Sequence, residues 1–193
     1  MSKSFADESE SLARVPAESA GTVADAAKPV RPLSITRNVK SIKHAMGISW
    51  LPRLYRERIM KLRTRSHQLP VMAIENRVDI HHTLLGVELK SRKRRLLCPD
   101  LATARYLAVF ARAGCINVAI PYDITKISLI ADELESSWHR MLLLIDDAAE
   151  GRSSAFRSRL RAAMIGEVRR EISEAGAGAA IPQFNQNTKQ RRA

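Results

Sequence analysis

Long apolar runs, cysteines, aromatic residues and glycine-rich loops are all scarce in this chain, and each scarcity removes a class of function. No stretch approaches the roughly 18 consecutive apolar residues that a membrane span needs, so insertion into a bilayer is not expected. The two cysteines, Cys98 and Cys115, are too few and too far apart for a zinc finger or ribbon. They fit buried thiols of a reducing compartment better than a disulfide framework. The first residues show neither a secretory signal nor the acid-poor composition of an organellar transit peptide. A cytoplasmic protein is the expectation. No glycine-rich run of the Walker or dinucleotide type is present, Ala113-Gly114-Cys115 being a helix stop, so no nucleotide cofactor is assigned. No serine sits in a nucleophile elbow, and a cysteine nucleophile would need a histidine brought to it by the fold. Aromatic residues make up only 5% of the chain, with Trp50 and Tyr55 interleaved among basic residues as thin support for base stacking.

Positive charge is abundant. The 193 residues carry a net charge of +12 and a pI near 10.4, a surplus that attracts polyanions through counterion release. The densest segment runs from Arg37 to Pro70, where Arg37, Lys40, Lys43, Arg53, Arg56, Arg58, Lys61, Arg63 and Arg65 face the single acid Glu57. Within it Leu51, Leu54, Tyr55, Ile59 and Leu62 recur at helical spacing, with Pro52 in the first turn and Ser49 as a cap. An amphipathic helix with a basic outer face is expected there.

The first 34 residues are rich in Ala, Ser, Asp and Glu without periodic apolar positions, and read as a disordered leader. Residues 176–193 read as a disordered basic tail. Between them, over 35–175, a single basic α/β domain is expected. A strand is read around Val78 to His81. Leu84 to Lys90 alternates, Ser91 to Arg94 makes a polar turn, and Arg95 to Cys98 returns, which is a hairpin with a basic tip. Asp100 caps a helix apolar on nearly every side, which Gly114 stops. Ile116 to Ile120 is a continuous β-branched run, the mark of a strand covered on both faces, so Leu96 to Ile120 reads as a βαβ unit. Ile127, Ile130, Leu134, Trp138, Met141 and Ile145 form one helical stripe. After a break at Glu150 and Gly151, Phe156, Leu160, Met164, Val168 and Ile172 form another, with Arg157, Arg161, Arg169 and Arg170 outside. The expected fold is therefore α/β, with a small mixed sheet made of a hairpin and a βαβ unit, two long C-terminal helices and disordered tails. Those two helices either cover the sheet or build a homodimer.

Three readings of function follow. The favoured one is nucleic-acid binding, with phosphates contacted by Arg53, Arg56, Arg58, Lys61, Arg63 and Arg65 on the helix segment and by Arg92, Lys93, Arg94 and Arg95 at the hairpin tip, Lys90 adjoining them. The second rests on Asp79 followed on the next strand by Glu88-Leu89-Lys90. On neighbouring strands two carboxylates hold a divalent cation, and the lysine orients the attacking water. That arrangement, with VELKSRK followed by an Ala-rich helix and a β-branched strand, resembles the PD-(D/E)xK nuclease superfamily, and within it the archaeal Holliday-junction resolvases, over about residues 79–120. Val78 stands where the superfamily pattern has proline, and Glu57 or Glu75 would have to serve as its upstream acid. The resemblance implies Mg²⁺-dependent cleavage, with Asp79 and Glu88 as metal ligands and Asp79, Glu88 and Lys90 as the catalytic set. His81 and His82 are neighbours on one strand, point to opposite faces and do not share a metal. The third reading is a partner-binding or secreted adaptor working through the leader and the basic tail.

Overall fold

A computed structural model describes residues 34–69, 77–91 and 94–179 of the chain. The leader and the tail beyond Ala179, on which the adaptor reading rests, lie outside the described residues, as do Arg92 and Lys93 at the hairpin tip.

Helix α1 (Ile35–Met46) starts where the Ser34 hydroxyl accepts from the Arg37 backbone N–H, and stops at Gly47, whose φ of +52° suits a residue without a side chain. Ile42 and Met46, one turn apart, turn inward. After the short turn Gly47–Ser49, α2 (Leu51–Leu54) leads into a wider π-type turn over Tyr55–Ile59. The expected amphipathic stripe holds, since Leu51, Tyr55 and Ile59 are fully buried. Ser49 does not cap it. Trp50 occupies the cap position and its side chain makes no capping bond, and the Ser49 carbonyl accepts from the Ser137 hydroxyl at 2.6 Å.

Strands β2 (Val78–Thr83), β3 (Gly86–Ser91) and β4 (Arg94–Cys98) form an antiparallel meander. Its first turn is only Leu84 and Leu85, both fully exposed, so the alternation read from Leu84 begins at Gly86 instead. Leu89 and Cys98 lie on the face packed toward α3 (Leu101–Ala113). Asp100 caps α3 by accepting from the Thr103 N–H at 2.7 Å, and Gly114 ends it in the left-handed region. Nine of its thirteen residues are buried, because it is covered by the meander on one side and by α4 (Ile124–Ala148) and α5 (Ser154–Ala175) on others. The stripes read on α4 and α5 point inward: Ile127, Leu134, Trp138, Met141 and Ile145 of α4, and Leu160, Met164, Val168 and Ile172 of α5, are buried. Leu129 and Leu143 are exposed on α4.

The architecture is α/β with a hairpin and two long C-terminal helices, as expected, but the βαβ crossover does not form. Strand β5 (Asn117–Pro121) pairs antiparallel with β1 (Thr64–Gln68), in a two-stranded sheet separate from the meander. The reason lies at Ala119. On the side away from β1, its N–H donates to the Tyr55 hydroxyl at 2.9 Å and its carbonyl accepts from the Tyr106 hydroxyl at 2.5 Å. Two tyrosine side chains thus satisfy the peptide groups that a parallel strand would have used. The described chain also continues past Ala175: Gly176 accepts from the Tyr55 hydroxyl at 2.7 Å, and Ala179 bridges to Arg65 on the free side of β1. Residues 176–179 therefore belong to the fold rather than to the tail.

Candidate nucleic-acid interface

The basic segment divides once its partners are known. Arg53 donates to Glu57 at 2.8 Å, one helical turn away, and that hydrogen bond is the main reason the Glu57 carboxyl sits below its usual range. Arg56 reaches Glu171 of α5 at 3.3 Å, and Arg58 reaches Glu133 of α4 at 2.7 Å. Lys43 bonds Glu167 at 2.7 Å and Glu171 at 2.5 Å. Burial lowers the Lys43 pKa, but the two carboxylates outweigh it and raise the pKa overall. Glu171 also accepts from the Trp50 indole N–H at 3.1 Å, so this carboxylate, almost without solvent exposure, is held by three donors. Glu167 is held down to about 2, first by the Arg170 hydrogen bond and then by that of Lys43. Much of the positive charge between Lys43 and Arg58 thus ties α1 and the α2 segment to the rest of the fold.

Lys61, Arg63 and Arg65 differ. All three are exposed, and no ion pair engages them among the described residues. Arg63 and Arg65 converge on Tyr122, with guanidinium carbons 5.2 and 6.0 Å from its ring centroid. The cause is local. Tyr122 follows β5, its N–H donates to the Arg63 carbonyl at 3.1 Å, and the β1–β5 register sets Arg65 opposite Ile120, two residues before Tyr122. The ring is half-exposed. A guanidinium stacked on an aromatic face keeps its N–H edges for an oxyanion while its plane is fixed. Tyr122 was not among the residues the sequence singled out; its only signal is an aromatic placed directly after a buried strand. Trp50 and Tyr55, the aromatics that were singled out, are buried and present no face to a base.

The meander carries the second set. Its solvent face is fixed by register: Asp79 lies opposite Lys90, and Lys90 opposite Arg95; His81 lies opposite Glu88, and Glu88 opposite Leu97. Asp79, Glu88 and Lys90 do share one face, as the resemblance requires, with Asp79 and Glu88 diagonal to each other. The Glu88 carboxylate, however, pairs with Arg95 at 3.6 Å. Among the described residues no group of three or more His, Cys, Asp or Glu side chains assembles a cation site. Arg94 is exposed at the start of β4, next to Arg95.

Two concavities adjoin these elements. One of about 730 Å³ runs between the α2 segment and α4, with Ile48 and Leu54 beside Arg58, Glu133 and Arg140, so its charges are mixed. The other, about 230 Å³, lies on the meander and is lined by His81, His82, Thr83, Glu88, Lys90 and Arg95. The cysteines are not nucleophiles. Both are buried, and burial raises both thiols, that of Cys115 to about 12.

No described helix is long and apolar enough to cross a membrane. No family model matches the chain, and neither the curated proteins nor the solved structures contain a match.

Proposed function

We propose that the chain binds nucleic acid, holding the phosphate backbone with Lys61, Arg63 and Arg65 beside Tyr122 and with the Arg92-Lys93-Arg94-Arg95 tip. The observation that carries this reading is the pair of arginines gathered within 5.2 and 6.0 Å of an exposed tyrosine ring without a carboxylate partner among the described residues, in a chain of net charge +12. Arg53, Arg56 and Arg58, by contrast, each have a carboxylate partner. Seven phosphate contacts on a single strand give a salt slope near −5, so about a 900-fold loss of affinity for a fourfold rise in salt. Fluorescence anisotropy of a labelled oligonucleotide across 50 to 200 mM salt tests this. The slope should flatten to near −2 when Arg92, Lys93, Arg94 and Arg95 are changed together to Ser. Affinity that is indifferent to salt would remove the reading.

A Mg²⁺-dependent nuclease using Asp79, Glu88 and Lys90 is the second reading, supported by their shared face. It loses support from the Glu88–Arg95 pair and from the missing third ligand among the described residues. Cleavage of linear or branched DNA that needs Mg²⁺ and disappears in Lys90→Ala would restore it.

A further inference from the structure

The donor set that is poor for a cation is well suited to cleaving RNA without one. The geometry points to the solvent face of the β2–β3–β4 meander as a metal-independent ribonuclease site, in which Glu88 is the general base, His81 the general acid, and Lys90 and Arg95 the anion-binding pair. This rests on the nucleic-acid reading above and adds to it a substrate, single-stranded RNA, and a reaction.

Strand register sets the four side chains in place. His81 on β2 is directly opposite Glu88 on β3, and side chains so paired have Cβ atoms about 5 Å apart on one face of the sheet. One pair along, Lys90 and Arg95 are also directly opposite one another. These four, with His82 and Thr83, line one open cavity of about 230 Å³, large enough to admit a phosphodiester and shallow enough to leave it on the strand face. His81 and Arg95 are exposed, and Glu88 and Lys90 are half-buried. Arg95 approaches the Glu88 carboxylate at 3.6 Å, which orients it across the face toward the His81 row.

RNA carries its own nucleophile, so no metal-bound water is needed. The Glu88 carboxylate takes the proton of the ribose 2′-hydroxyl as the 2′-oxygen forms a bond to phosphorus. The imidazolium of His81 gives its proton to the 5′-oxygen as the phosphorus–O5′ bond breaks. The products are a 2′,3′-cyclic phosphate and a 5′-hydroxyl end, with Glu88 left protonated and His81 neutral until solvent restores both. Lys90 and Arg95 hold the non-bridging oxygens, where negative charge develops in the transition state. DNA, which lacks the 2′-hydroxyl, is bound without being cut. On the face of the acid–base pair lie Asp79 from β2, Lys90 from β3 and Arg95 from β4, while His82, on the other face of β2, lines the rim of the cavity; α3 covers the opposite face.

The test uses the full chain, a fluorescent single-stranded RNA, its all-deoxy counterpart and excess EDTA, with binding measured separately by anisotropy. The RNA should be cut to products ending in 2′,3′-cyclic phosphate, and the DNA should stay intact. His81→Ala and Glu88→Gln should each slow cleavage by about 100-fold or more while RNA affinity changes less than about threefold. His81 is exposed and Glu88 half-buried, and circular dichroism verifies that the variants are folded. RNA that is bound but not cut overturns this site alone; RNA neither bound nor cut overturns the binding reading with it. Cutting that appears only with Mg²⁺, or that both variants retain, also overturns the assignment.

Discussion

Replacing Tyr55 with Phe removes one oxygen and tests how the small β1–β5 sheet is held. The Tyr55 hydroxyl is fully buried, accepts from the Ala119 N–H at 2.9 Å and donates to the Gly176 carbonyl at 2.7 Å. In the variant the Gly176 carbonyl, on an exposed residue, turns to water. The Ala119 N–H has no such outlet, since Ala119 is wholly buried. An orphaned buried donor costs about 1–3 kcal/mol, or roughly 3–10 °C in a domain of this size. Urea denaturation followed by circular dichroism measures it, with an unchanged m-value showing that the fold persists. Hydrogen exchange at Ala119 should accelerate in the variant. The wild type should also respond to alkali. Burial pushes the Tyr55 hydroxyl up to about 12, so the folded state keeps a proton that the unfolded chain releases from about pH 10. The stability this represents is present below pH 10 and lost as pH rises toward 12, a loss of roughly 2–3 kcal/mol. Tyr55→Phe should lose less stability over that interval, although Tyr106, also raised by burial, keeps part of the response. A Phe variant within 0.5 kcal/mol of wild type, with unchanged exchange at Ala119, would refute the claim that this hydroxyl replaces a neighbouring strand.

Three further outcomes follow from the helix contacts and from the stop of α3. Glu171→Ala should destabilise by about 2–4 kcal/mol, because the buried Trp50 N–H loses its acceptor and Lys43 keeps only Glu167; thermal denaturation at pH 7 measures this. Glu167, with a folded pKa of about 2 against an ordinary 4.5, contributes stability that is present above pH 4.5 and lost as pH falls toward 2. Glu167→Gln should flatten that acid limb in a pH series of urea midpoints. Gly114→Ala should cost about 1–2 kcal/mol in urea denaturation: φ is +74°, and the new Cβ would lie 2.8 Å from the Arg169 guanidinium, which donates to the Ala113 carbonyl.

What could be read from the sequence was whatever has a local cause. Asp100 and Gly114 bound α3 because a cap and a left-handed stop act within a few residues. The Ile127 to Ile145 stripe points inward because one helix face can be buried whatever covers it. Strand β1 was not legible. Thr64-Arg65-Ser66-His67-Gln68 has no alternation of apolar residues, and is a strand because β5 and Ala179 take its two edges. Of the run from Ile116 to Ile120, Val118 to Ile120 are buried in β5 while Ile116 and Asn117 are exposed, and burial does not name a partner: side-chain hydroxyls replaced the expected parallel strand. The same limit applies to charge. Arg53 and Glu57 lie one turn apart and could be paired on sight, whereas Glu133 and Glu171 reach Arg58 and Arg56 only in the folded chain. Sequence counted the arginines; the fold separated those holding helices together from those stacked on Tyr122.

That separation gives the most direct measurement of the account. Two double variants, Arg63→Ser with Arg65→Ser and Arg53→Ser with Arg58→Ser, remove the same formal charge. Their affinities for one labelled single-stranded oligonucleotide are measured across a salt series. Loss of two phosphate contacts should make the slope of log affinity against log salt shallower by about 1.4 in the Arg63 and Arg65 variant. The Arg53 and Arg58 variant should keep the wild-type slope. Equal slopes in the two variants would contradict the assignment of the interface to the arginines at Tyr122.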